Sequence, residues 1–283
     1  MTIEPGLYPS MSVETYYADP CPAPSLNQSL IPSLLFRSAY HAAYDHPRLN
    51  PYGPADIGGK AQFLGSAVHR LALGKGAEIS PIRYSDYTSS AAREARDLAV
   101  ANGRIPILER ELVKARDLAA IVRDQIEQEL GGEPYDTEVV MVWQESTRYG
   151  PIWCRGMLDV WCATKSVALD VKCLRIDATP EAFGRTMAQS GYDIQAVHYT
   201  RGLHQLVKAG CDFANLVVES TPPHGAAAFR PDEPSLAIAE RQVAEAYELW
   251  AKCVHEWSFP SYPRGIRSVS SPAWHQKQIM ERS

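Results

Sequence analysis

Three consecutive stretches, 137–145, 152–162 and 166–174, alternate Val, Trp, Met and Ile with other residues, and only short links separate them. Period-two alternation sends successive side chains to opposite faces of a strand. Links this short return the chain alongside itself, so the three stretches predict an antiparallel meander. Around the meander the apolar residues recur with helical spacing, at 61–73, 89–101, 107–130, 178–189, 192–209 and 234–254, with further strands at 213–219 and 226–230. Gly131-Gly132 ends the helix that closes at 130. This order predicts an α/β fold, a central mixed sheet with an antiparallel meander flanked by helices.

The 283 residues suit a single domain. Residues 1–54 hold nine of the 21 prolines and one helix-like stretch, 29–44. Residues 55–135 form a helical part, 136–257 the sheet with its helices, and 258–283 a tail rich in Pro, Ser and aromatics. Arg264, Arg267, Lys277 and Arg282 of that tail face one acid, Glu281, and read as a solvated tail or as a phosphate- or subunit-contacting arm.

A net charge of -5 excludes a uniformly basic nucleic-acid coat and leaves a local basic groove open. The basic residues are mostly Arg, a weak pointer to phosphate that a GC-rich genome explains as well. No apolar run approaches the roughly 20 residues of a membrane span. The start, MTIEPGLYPS, lacks a basic segment followed by an apolar one, so a cytoplasmic location is expected. Cysteines at 21, 154, 162, 173, 211 and 253 form no C-x-x-C pair, which argues against zinc-ribbon, thioredoxin and iron–sulfur chemistry and for reduced thiols.

Chemistry concentrates in the meander. In the third strand, SVALDVKCL, Val167, Leu169, Val171 and Cys173 share an apolar face while Asp170 and Lys172 share the other. A hairpin loop centred between Thr164 and Lys165 sets Asp159 of the preceding strand directly opposite Asp170, with Cβ atoms roughly 4.5–5.5 Å apart. Like charges so placed repel, and a divalent cation between them removes the penalty, because hard cations prefer carboxylate oxygens. An adjacent lysine can orient an attacking water or help deprotonate it. The set suits phosphodiester hydrolysis.

Asp159, followed eleven residues on by Asp170-Val171-Lys172, resembles the PD-(D/E)XK nuclease superfamily, and more closely its RecE-like, exodeoxyribonuclease VIII-type branch. Gly65-Ser66-Ala67-Val68-His69 resembles the branch's G-x-x-x-H helix. Gln195-Ala196-Val197-His198-Tyr199 resembles the Q-x-x-x-Y motif after the D-x-K strand. Glu145 ends a strand where related nucleases often carry an acid, and SLNQSLIPSLLFRSAYHAAY resembles the opening helix. Leu158-Asp159 replaces the usual Pro-Asp. The likeness covers about residues 16–262.

The resemblance implies a restriction-endonuclease-like core. It implies Mg²⁺, with Mn²⁺ as substitute, held by Asp159, Asp170, His69 and the Val171 carbonyl. Lys172 would orient the water, Gln195 would support Lys172, Tyr199 would lie near the DNA backbone, and Glu145 would be a further acid. His198 faces elsewhere. The implied activity is exonucleolytic hydrolysis of linear double-stranded DNA, 5′ to 3′, leaving 3′ single strands for a single-strand annealing recombinase. A ring-shaped homo-oligomer and a phage or prophage setting come with it. The alternatives are an endonuclease or repair nuclease of the same superfamily, and a catalytically silent DNA-end-binding module.

Overall fold

The computed structural model describes residues 3–53 and 59–280. The predicted meander is present. Strands β4 (Asp136–Thr147), β5 (Gly150–Cys162) and β6 (Val167–Leu174) lie side by side, antiparallel, in a six-stranded sheet. Its order is β1-β4-β5-β6-β7-β8, with β1 at Gly6–Tyr8, β7 at Asp212–Glu219 and β8 at Ala226–Phe229. Every neighbour is antiparallel except β6 and β7. That parallel pair needs a crossover, supplied by helices α7 (Pro180–Ser190) and α8 (Tyr192–Val207).

The sheet has a core on each face. Helix α8, helix α9 (Glu233–Glu256) and the pair α2 (Leu30–Phe36) and α3 (Ala39–Asp45) cover one face, around Trp143, Tyr199 and Trp250. Helices α4 (Lys60–Leu73) and α6 (Glu109–Leu130) cover the other, around Val160, Leu169 and Val171. The β6 alternation therefore turns Leu169 and Val171 toward α4 and α6, and Asp170 and Lys172 toward α8.

Four differences from the sequence reading have local causes. The single helix expected over 29–44 is two, because Ser38 sits extended (φ -169°, ψ 165°) and its hydroxyl accepts from His41 N to start α3. The helix expected from 107 begins at 109, because Ile105–Leu108 is a strand, β3, paired in parallel with β2 (Ile79–Ile82). A four-residue apolar run suits either state, and pairing decides it. The segment around helix α1 (Val13–Tyr17) lies against β4, with Tyr16 buried beside Val140 and Val142. The tail carries a helix, α10 (Ala273–Met280), preceded by helix α5 (Ser90–Ala101) and the others in chain order; Glu281 and Arg282 lie outside the described residues. Gly131 closes α6 at φ 61°, as the Gly-Gly pair predicts.

A buried knot ties the N-terminal segment to β5. Asp19 meets Arg155 Nη1 at 3.3 Å and His46 Nε2 at 3.2 Å, and accepts from the Ser25 hydroxyl at 2.6 Å. These partners hold its carboxyl down at about 2 against the opposing effect of burial. All six cysteines are free thiols. No described helix is long and apolar enough to cross a membrane.

Candidate active site

The β5–β6 hairpin pairs Val160 with Leu169, Trp161 with Ala168 and Cys162 with Val167. Its register is the predicted one, and the next rung outward is Asp159 and Asp170. There the strands separate, and the Val171 amide donates to Asp159 Oδ2 at 2.7 Å. Both aspartates are buried, at 7% and 4% exposure.

Lys172 closes on Asp170, with Nζ 2.6 Å from Oδ2. The contact is a short ion pair. Gln195, at the start of α8, bridges the pair. Its amide nitrogen donates to Asp170 Oδ1 at 2.6 Å, and its amide oxygen accepts from Lys172 Nζ at 3.0 Å. A carboxylate can only accept and an ammonium can only donate, so these neighbours set the amide's orientation. The Tyr192 ring lies 4.4 Å from the same ammonium. Against burial, the Asp170 and Asp159 carboxylates keep Lys172 charged and raise its pKa.

His69, on α4, reaches the same point from the other layer. Its Nε2 lies 2.9 Å from the Val171 carbonyl and its Nδ1 3.7 Å from Asp159 Oδ2. Gly65 stands one turn earlier on α4 and lines the same cleft as the aspartates, with open space where a Cβ would be. Burial pushes Asp159 up to about 6 against the pull of His69, and Asp170 adds to the rise.

One acid escaped the sequence reading. Glu138 of β4 falls in register opposite Asp159, in the rung missing between Thr137–Val160 and Val139–Leu158. Its φ is +47°, and its carboxyl is 7% exposed and raised by burial and by Asp159. Across this rung the β5 faces exchange: Leu158 packs in the α8 core, while Val160 and Cys162 pack in the α6 core. Gly76 leaves room for the carboxylate, since a Cβ there would stand 3.1 Å from Glu138 Oε1. The alternation of β4 gives Glu138 the look of any strand residue, and only the partner strand reveals it.

One sequence expectation needs correction. Glu145 is not at the site. It is seven residues along β4 from Glu138, roughly 23 Å at strand rise. There it accepts from Trp143 Nε1 at 3.2 Å and pairs with Arg201 at 3.3 Å. Tyr199 lines the same cleft from below. It is 2% exposed, beneath the cleft, and burial raises its phenol well above its ordinary range. Its ring lies so close over Gly156 that a Cβ there would meet Cε1 at 2.8 Å. Gln195, 4% exposed, likewise acts on Asp170 and Lys172 from beneath. His198, as expected, points away, with Nδ1 on the Tyr247 hydroxyl at 2.8 Å.

Glu138, Asp159, Asp170, Lys172, His69 and Gln195 line one cleft of about 680 Å³. A family model described as a PDDEXK-like domain of unknown function (DUF3799) matches residues 84–271. The chain belongs to this family. The matched span of the PDDEXK-like domain holds Glu138, Asp159, Asp170, Lys172 and Gln195, and leaves His69 outside. A solved structure named "Putative exonuclease", from Eubacterium rectale, is similar with a TM-score of 0.60 at 14% identity, over 97% of this chain and 98% of that one. That likeness speaks for the fold. A phage related exonuclease from Haemophilus somnus 129PT aligns over 68% of this chain and 95% of that one at 12% identity, with a TM-score of 0.31, too low to carry an argument. No curated protein matches the chain.

The donors of this PDDEXK-like site suit a hard divalent cation. Three carboxylates, a carbonyl and an imidazole converge with one ammonium, and that ammonium is the one group against the buried Asp170 Oδ2 among the described residues. Among the described residues no three His, Cys, Asp or Glu side chains are disposed to hold an ion together as they stand. Two contacts occupy the donors instead: Lys172 rests on Asp170, and His69 on the Val171 carbonyl.

Proposed function

We propose that this chain is a divalent-metal-dependent nuclease that hydrolyses phosphodiester bonds at the ends of linear double-stranded DNA. The observation that carries the reading is the join of Asp170 and Lys172 through Gln195, with Asp159 held beside them by the Val171 amide, in one cleft. Asp159, Asp170 and the Val171 carbonyl, with His69 and Glu138 beside them, would hold Mg²⁺, or Mn²⁺ in its place. The cation would lower the pKa of a bound water and neutralise charge developing on the phosphoryl oxygens.

The protein's own groups do the positioning. Lys172 presents a fixed ammonium, held by Gln195 on one side and the Tyr192 ring on the other. An ammonium cannot take a proton, so Lys172 acts by orienting water and by offering positive charge to the phosphate. Gln195 keeps Asp170 and Lys172 in fixed relation while both change partners. The resemblance to the RecE-like branch supports the finer reading: 5′-to-3′ degradation in a bacterial cytoplasm, a ring-shaped homo-oligomer on phage or prophage DNA, and 3′ strands passed to a single-strand annealing recombinase.

The test is digestion of a linear duplex labelled at either the 5′ or the 3′ end, with Mg²⁺ and with chelator. Mononucleotide release from the 5′ label, abolished by chelator, is the expected result. Cleavage of a covalently closed circle would make the protein an endonuclease, and metal-dependent DNA binding with no cleavage would make it an end-binding module.

A further inference from the structure

One wall of the cleft has no part in the chemistry above. Helix α1 ends at Tyr17, which lines the same cleft as Asp159, Asp170 and Lys172, yet is 59% exposed. Tyr17 does not hang free. Tyr16 packs edge-on against it, ring centroids 5.2 Å apart, and Tyr16 is 4% exposed. Beneath Tyr16 lies the Arg155 guanidinium, 5.6 Å from the ring and itself anchored to buried Asp19. An aromatic face is thus held on a rigid base and turned to the cleft.

The opposite wall differs. Tyr192 also lines the cleft, but the Lys172 ammonium covers its ring at 4.4 Å, and Phe183 stacks with it at 6.1 Å. The open aromatic surface beside the carboxylates therefore belongs to Tyr17. Single exposed aromatics are ordinary on protein surfaces. This one is distinguished by its buried backing and by its place beside the carboxylates. Size adds a second constraint. The cleft of about 680 Å³ lies within the range of small-ligand sites, about 300–1,000 Å³, which matches the terminal nucleotides of one strand. Every nucleobase offers a π-face, so stacking there tolerates any sequence.

We propose that Tyr17 is a stacking platform for the unpaired base next to the scissile phosphate, so that the cleft takes the end of one strand separated from its complement. This rests on the nuclease reading and names the form of substrate that enters the site.

The experiment uses the full chain with Ca²⁺ and an oligonucleotide carrying 2-aminopurine at its terminal position. Stacking quenches 2-aminopurine fluorescence, and anisotropy of a second label gives the affinity. Tyr17→Ala and Tyr17→Leu are expected to abolish the quench and weaken single-strand binding about 5- to 150-fold, from roughly 1–3 kcal/mol per stacked base. Tyr17→Phe, which keeps the ring, should stay within about twofold of wild type. Wild-type affinity in Tyr17→Leu, or equal loss in Tyr17→Phe and Tyr17→Ala, overturns the platform. Wild-type release of p-nitrophenol from bis(p-nitrophenyl) phosphate reads hydrolysis with no base present. Its absence with every divalent ion tried would overturn the nuclease reading and the platform's role with it, whereas hydrolysis of this ester together with an undiminished quench in Tyr17→Leu would overturn only the platform.

Discussion

Glu138 and Asp159 face each other across the rung where β4 and β5 fail to pair, and both carboxyls are buried there. The left-handed backbone at Glu138 exchanges the faces of the ladder at this rung. A break in pairing thus exposes side chains to the cleft that a regular ladder would have packed in a core.

Glu138→Gly and Glu138→Ala separate the carboxylate from the backbone. Both remove the same charge, but only glycine adopts a positive φ freely. Both variants should lose most turnover. Glu138→Gly should be the more stable of the two by about 1 kcal/mol in urea denaturation. Equal stabilities would show that the backbone at 138 relaxes without its side chain.

Metal-free stability should depend on pH through Asp159. Its folded pKa is raised to about 6, so its contribution is full below the ordinary carboxylate value and lost as pH rises through 6. Asp159→Asn imitates the protonated form and still accepts the Val171 amide through its amide oxygen. Without metal it should therefore melt above wild type at pH 8, by the equivalent of about 1–3 kcal/mol, with the advantage gone near pH 4. Added Mg²⁺ should raise the melting point of wild type and not that of the variant. Thermal melts from pH 4 to 8 decide both points.

Lys172→Ala should abolish turnover and spare metal binding, because an ammonium repels a cation. Gln195→Ala should lower kcat about 10- to 100-fold with Lys172 and Asp170 intact, since positioning alone is lost. Calorimetric titration with Mn²⁺ checks both. Loss of binding in Lys172→Ala equal to that in Asp170→Ala would make the lysine structural.

Gly156→Ala should destabilise the protein by about 1–3 kcal/mol, the usual cost of overpacking. The added methyl would meet the Tyr199 ring at 2.8 Å. The clash is with ring carbons, so Tyr199→Phe should not relieve it and Tyr199→Leu should relieve part of it. Denaturant midpoints of the double variants show which.

Glu145→Ala should keep turnover within a few-fold of wild type while lowering stability by about 1–3 kcal/mol, because Trp143 and Arg201 lose a buried acceptor. Activity assays beside melting curves separate the two effects. Loss of hydrolysis in a folded variant would return Glu145 to the site.

What the sequence by itself determined is what local periodicity carries. Alternation in SVALDVKCL places Asp170 and Lys172 on one face, the short 163–166 link sets the register that brings Asp159 beside Asp170, and helical spacing puts Gln195 and Tyr199 on one side of α8. Each depends on residues a few positions apart, or on a short loop whose neighbouring registers keep the two aspartates within reach of each other. Tertiary structure decided the rest. Glu138 and Glu145 are both acids on the same alternating strand, on opposite faces, and the alternation does not say which face carries the site. One becomes part of the cleft because its rung opens near Gly76, and the other is neutralised by Arg201 arriving on α8. Tyr17 and His69 come to the carboxylates from elements 142 and 90 residues before Asp159, and their approach depends on how α1 and α4 pack across the sheet. Spacing within an element is written in the chain, whereas which rung stays unpaired is settled by the competing packing of two cores.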